Sequence, residues 1–430
     1  MKQSSRLFVV AVVVIFFSFI HHSAFAQGVL LRSVGAVNAG VGGTATAMPL
    51  DAIGALQWNP GSISALKKNE ISFGLELVEG KSRVSSELHG TPFSGATSGE
   101  GGVVPVPSMG LVWSPSPRSP FTFGLGMGAV GGAASLYPHK PLGPPDNPLP
   151  GGNPVLSEHG RSATVIVLQV TPTVAAQVTE RLSLGIAPIV DLASLNINPM
   201  SLGRQIAPTD QSLMTYGTRY VWGAGFQIGA LYDFQNNFKA GFMFKSPIWA
   251  EKLYFTGTNA THDPVSQTFD LNLPMTLSAG ISYDGFHNTI IGMDVRYIDY
   301  ANTAGLDRGL ESGVVKGLDW ESIIAINIGA ERKINDKLRA RIGYCWNENP
   351  IPSRSAVLAI SAPMITQHAI FCGFTKEVAK GLEMSAAYCH SFQAHLTGPF
   401  TAQVPGSTVP GSVTNSLSAN AVYANLSKKW

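Results

Sequence analysis

Beyond about residue 69 this chain repeats one pattern: apolar and non-apolar residues alternate with a period of two, in segment after segment. In residues 219–234 one face carries Tyr220, Trp222, Ala224, Phe226, Ile228, Ala230, Tyr232 and Phe234. The other carries Arg219, Val221, Gly223, Gly225, Gln227, Gly229, Leu231 and Asp233. Ile71, Phe73, Leu75 and Leu77 likewise alternate with Glu70, Ser72, Gly74 and Glu76. Hydrocarbon on one side against glycine, amide and charge on the other suits lipid outside and a lumen inside. Composition agrees, since charged residues are 13% of the 430, about half the share usual in soluble domains. After the N-terminal segment no apolar run approaches the roughly 18 residues of a membrane helix. A bilayer admits only helices or closed barrels, so the expected fold class is all-β, a transmembrane outer-membrane β-barrel.

Fourteen segments fit: residues 69–80, 104–115, 121–133, 161–178, 181–197, 216–234, 237–256, 269–284, 287–302, 319–334, 336–348, 363–378, 381–394 and 415–430. The even number suits a barrel with both ends on one side. Tight connections such as Thr179-Glu180, Asn335-Asp336 and Ala379-Lys380 alternate with longer ones, Leu136 to Gly160 and Gln393 to Thr414 among them. That rhythm is the one of short periplasmic turns and long extracellular loops.

The first 26 residues read as a signal peptide. Lys2 and Arg6 precede an apolar core from Leu7 to Ile20, and Ala24-Phe25-Ala26 supplies the cleavage site. Export to the outer membrane of a Gram-negative cell follows. Cys345, Cys372 and Cys389 are odd in number and widely spaced, so they read as passive small residues. Residues 27–68 are rich in Gly and Ala and nearly uncharged, too apolar for a flexible tail. They are expected to fold inside the barrel, residues 69–430, as a plug.

The stretch Asp51-Ala52-Ile53-Gly54-Ala55-Leu56-Gln57-Trp58-Asn59-Pro60-Gly61 resembles the plug signature of the FadL/TodX family of long-chain fatty acid and hydrocarbon transporters, with Gly61 in place of an alanine. Asp51, Asn59 and Pro60 carry the match. Trp222-Gly223-Ala224-Gly225-Phe226, Leu271-Asn272-Leu273-Pro274, Arg341-Ile342-Gly343-Tyr344 and Pro350-Ile351-Pro352 extend it in order, and the aromatic end Trp430 resembles the signal read by the barrel-assembly machinery. The resemblance implies a monomer without cofactors that takes up hydrophobic molecules passively. Extracellular loops capture the ligand beyond the lipopolysaccharide, an apolar pocket holds it, and a gap at an inward kink of the third strand releases it sideways. Movement of the plug's N-terminal end opens the route.

Several residues are candidates for these roles. Gly126, Gly128 and Gly131 in the third segment suit the kink or plain barrel curvature; a dinucleotide fingerprint is excluded because no βαβ unit follows. Arg219, Arg296, Arg339 and Arg341 are expected either to pair within the lumen or to meet a ligand carboxylate. Where fatty-acid-binding relatives would place a lysine after Trp320, this chain has Glu321, which favours an uncharged ligand. Proline dominates residues 137–154, an outer loop expected either to shield or to capture through Leu136, Tyr137 and Leu142. No nucleophile elbow or metal-spaced cluster appears, so neither an enzyme nor a metal site is expected. A net charge of +2 without a basic cluster gives no footprint for nucleic acid. The alternatives are a general porin for polar solutes, which would conduct ions steadily, and a non-transporting surface barrel acting as adhesin or enzyme.

Overall fold

The computed structural model describes residues 27–430, except 67, 117, 144–151, 157–159, 199, 202–211, 214–219, 259–263, 312–313, 316 and 405–406. Residues 1–26, expected as a signal peptide, residues 144–151 of the proline-rich stretch and Arg219 lie outside the described residues. The wall consists of β1 (Glu70–Leu88), β2 (Val103–Trp113), β3 (Phe121–Tyr137), β4 (Arg161–Gln177), β5 (Leu182–Asn198), β6 (Val221–Asp233) and β7 (Phe238–Lys245). It continues with β8 (Met275–Phe286), β9 (Thr289–Asp299), β10 (Ile323–Asn335), β11 (Leu338–Asn347), β12 (His368–Ala379), β13 (Leu382–Val404) and β14 (Ser407–Lys429). Each strand pairs antiparallel with its sequence neighbours, and β1 pairs with β14 from Glu70↔Lys429 to Leu88↔Gly411. The fourteen-stranded barrel is closed, each strand hydrogen-bonded to both neighbours over at least part of its length.

The faces are sorted as the alternation requires. Phe73, Leu75, Leu77, Trp222, Phe226, Phe242, Ile281, Ile342, Phe374 and Leu426 are exposed on the outside, while Glu70, Glu76, Gln227, Asp294, Arg296 and Asn327 are buried inside. Trp113, Phe121, Phe234, Phe238, Phe286 and Trp430 stand exposed beside the short turns, an aromatic girdle at that membrane surface.

Some boundaries differ from the sequence expectation. β7 is interrupted at Ser246 and Pro247 and resumes at Trp249-Ala250, which pair with Ala224 and Gly223 of β6 one residue out of register with Lys245↔Gln227, so the strand continues through a bulge to Ala250 instead of 256. β3 extends through Leu136 and Tyr137, which the sequence placed in the loop. Residues 393–414, expected as a loop, mostly continue the β13–β14 hairpin, and a register shift between Ser391 and Ala394 breaks the alternation there. His390 and His395 lie inside β13.

The lumen is filled by residues 27–66. They contain α1 (Gly35–Gly40), α2 (Ala52–Trp58) and a 3-10 turn (Pro60–Ala65), nearly all buried. Asp51 caps α2 by accepting from Gly54 N–H at 3.1 Å. Wall glycines admit the plug backbone closely: a Cβ on Gly241 would overlap the Thr46 carbonyl, and one on Gly343 would overlap Gly42. The glycine-rich inner face thus has a steric cause.

Candidate functional site

The wall is incompletely laddered between β2 and β3. Their pairing runs from Trp113↔Phe123 only to Ser108↔Gly128. Above that level β2 continues with β1 to Val103, and β3 continues with β4 to Tyr137. Two sequence features produce the seam. Pro105 and Pro107 in β2 have no N–H to donate. In β3, Val130 is an extra residue, because the register against β4 shifts between Ala129 and Gly131.

Behind the seam lies a cavity of about 140 Å³, lined by Val104–Pro107 of β2, Ala129, Gly131 and Gly132 of β3, Val165 and Leu168 of β4 and the plug residues Gly28–Leu31. The plug's first residues therefore form its inner wall as a strap. Leu31 N–H donates to Val130 O at 3.0 Å, and Leu30 bridges Gly131, so the strap occupies the strand edge that β2 has left. Tyr300 hydroxyl donates to the Gln27 carbonyl at one end. At the other, buried Arg32 donates to Thr366 O at 2.7 Å, Ser391 Oγ at 2.8 Å and Asn347 Oδ1 at 2.9 Å.

Of the kink candidates, Gly128 marks the last β2–β3 pair and Gly131 follows the bulge; Gly126 lies lower, within the paired part. A Cβ on Gly128 would approach Pro107 O to 2.8 Å and Ser108 Cα to 2.9 Å, and one on Gly131 would approach Val29 O to 2.8 Å.

The arginines are otherwise engaged. Arg296 donates to the carbonyls of Gly43 and Arg32 (3.3 Å), pairs with Asp294 at 3.3 Å, and is fully buried. Arg339 pairs with Glu383 at 2.5 Å, and Arg341 with Glu331 at 2.6 Å. Glu321 pairs with Arg354 at 3.1 Å. Leu136 is exposed on the outer face of the wall, contrary to its expected place on a capture loop, because β3 carries it past the bulge. Tyr137 is buried and Leu142 half-buried, and neither lines the cavity.

The signature residues hold the plug. Asn59 donates to Thr46 O at 2.7 Å and to Ala230 O of β6 at 2.9 Å, and accepts from Gly61 N–H at 3.0 Å, with Pro60 starting the 3-10 turn. Burial, with the nearby Glu70 charge adding to it, pushes the Asp51 carboxyl up to about 7. Tyr300 and the strap's place along β3 were not singled out from sequence; the two prolines inside β2 were the available signal for the seam.

The sequence matches the family described as outer membrane protein transport protein (OMPP1/FadL/TodX) over residues 17–427. The chain belongs to this family. It is thus an outer-membrane barrel of a family of transport proteins. Outer membrane protein P1 of Haemophilus influenzae is 22% identical over 154 residues, which cover 34% of this chain and 34% of that protein. The toluene transporter TbuX of Ralstonia pickettii has the same fold at 17% identity, with a TM-score of 0.65 over 93% of this chain and 99% of that one. A FadL homologue of Pseudomonas aeruginosa has it at 14% identity, with a TM-score of 0.69 over 93% and 99%.

Proposed function

We propose that this barrel takes up uncharged, compact hydrophobic molecules, which rest in the cavity behind the β2–β3 seam and leave through that seam into the membrane when the strap Gln27–Leu31 moves. The observation that carries the reading is the coincidence of an unpaired seam, an apolar cavity and a plug segment on one stretch of wall. The cavity of about 140 Å³ is close to the ~150 Å³ apolar cavity that accepts benzene. Its lining of Gly, Val, Leu, Pro, Ala, Ile, Met and Ser offers no charge to a carboxylate. Lateral release keeps an apolar ligand out of water throughout. Toluene, named for the similar Ralstonia protein, has the size this reading asks for.

Uptake of radiolabelled toluene by cells with and without the protein, measured beside ion conductance of the purified barrel in planar bilayers, tests it. Loss of uptake on deletion with negligible conductance is expected. Large steady conductance with no change in toluene uptake would establish the porin reading instead.

A further inference from the structure

The outer end of the cavity is closed by a segment no strand provides. Between β11 and β12 the chain folds inward through 3-10 turns at Ser353–Ser355 and Leu358–Ile360. Ile351, Ala356, Ile360 and Ile365 are buried in the same apolar cluster as Val29, Val130 and Val165. The next stretch, Ser361–Met364, supplies Ser361, Pro363 and Met364 to the cavity wall.

Position along β3 places this cap opposite the strap. The strap meets β3 at Val130 and Gly131, whereas Ser135 Oγ donates to Ser361 O at 2.6 Å. Five residues of strand separate Val130 from Ser135, about 16 Å. The cavity therefore lies between two plug-like closures, the strap toward the periplasm and the cap toward the outside.

Side chains fix the base of the cap. Arg354 donates to both carboxylate oxygens of Asp319 (2.8 and 3.0 Å) and to Glu321 (3.1 Å), and Asn415 Nδ2 donates to Ala356 O at 2.6 Å. Ser361 crosses to the wall through the Ser135 bond. Met364 sits beside that tip, buried, with an unbranched thioether that changes shape by rotation and not by backbone movement.

We infer that Ser361–Met364 is the outer gate of this cavity and that the Met364 side chain sets the size of molecule admitted. The inference rests on the proposed function, since a gate presupposes a ligand passing into the cavity. Truncating the thioether widens the mouth, and a fixed indole closes it.

The test is uptake of benzene and of naphthalene by cells carrying the full-length wild type, Met364→Ala, Met364→Leu or Met364→Trp, with insertion checked by heat-modifiable gel mobility. Met364→Ala is expected to raise naphthalene uptake relative to benzene by about tenfold, the discrimination that one or two methylenes supply in an apolar pocket. Met364→Leu should keep the wild-type ratio, and Met364→Trp should lower uptake of both probes. An unchanged ratio in inserted Met364→Ala, or undiminished uptake by inserted Met364→Trp, overturns the gate and leaves the proposed function standing. A wild type that carries neither probe overturns that reading and the gate with it.

Discussion

The Arg296 guanidinium carbon lies 3.4 Å from the centroid of the Trp58 ring, so a charge from the wall stacks on the last residue of the plug helix. Asp294, two residues earlier on β9, accepts from the N–H groups of Ala45 (2.9 Å) and Thr46 (3.0 Å) and from the Thr46 hydroxyl (2.9 Å). Both groups are fully buried, and together they hold the plug where the family's signature helix ends. Removing one member leaves the other charged and uncompensated, which costs about 3–5 kcal/mol.

Asp294→Ala should therefore loosen the plug without unfolding the wall. Planar-bilayer recordings of the inserted variant are expected to show frequent conducting openings against a quiet wild type. A variant as silent as the wild type would mean that the latch does not govern plug seating.

Gly128→Val should damage the seam. Its side chain would push on Pro107 and Ser108, and overpacking of this kind costs about 1–3 kcal/mol. Toluene uptake is expected to fall while the barrel still inserts; unchanged uptake would remove Gly128 from the account.

Arg339→Gln should spare transport. Arg339 serves Glu383 near the periplasmic end, and partly exposed pairs are worth about 1 kcal/mol or less. Toluene uptake at wild-type level is expected; a marked loss would revive the reading of this arginine as a ligand contact.

Seating of α2 should weaken as pH rises. Asp51 has an ordinary value of 3.8 when solvated and about 7 when the plug is seated. The seated plug therefore binds more protons between these values, so the contribution is full below about pH 4 and is lost as pH climbs through about 7. Hydrogen exchange of residues 51–58, corrected for intrinsic rates, should show protection falling across that range in the wild type and little slope in Asp51→Asn. Equal slopes in both would assign the dependence to other groups.

Much of this molecule was legible in its sequence because a lipid-facing wall leaves a rigid period. Phe73, Leu75, Leu77 and Trp222 had to face one way and Glu76 and Gln227 the other. Long-range pairing was not legible. Nothing in the spacing of Arg32 and Tyr300 announces that they fix the two ends of the strap, or that Asp294 holds Ala45 and Thr46, since their partners lie hundreds of residues away. The extended β13–β14 hairpin was missed because the shift after Ser391 resets the alternation. The cap escaped notice because Ser353–Ile365 has neither a helical nor a strand period, and its burial comes from neighbours on β3, β13 and β14.

The central claim is that ligand leaves through the seam, and closing the seam tests it most directly. Val106 of β2 and Ala129 of β3 are buried in one small cluster with Leu31 of the strap, across the unpaired stretch. The native cysteines are free, and two of the three are buried. In cells carrying Val106→Cys with Ala129→Cys, the account predicts that toluene uptake is lost when the new disulfide forms and returns on reduction. Undiminished uptake through the disulfide-closed barrel would contradict it.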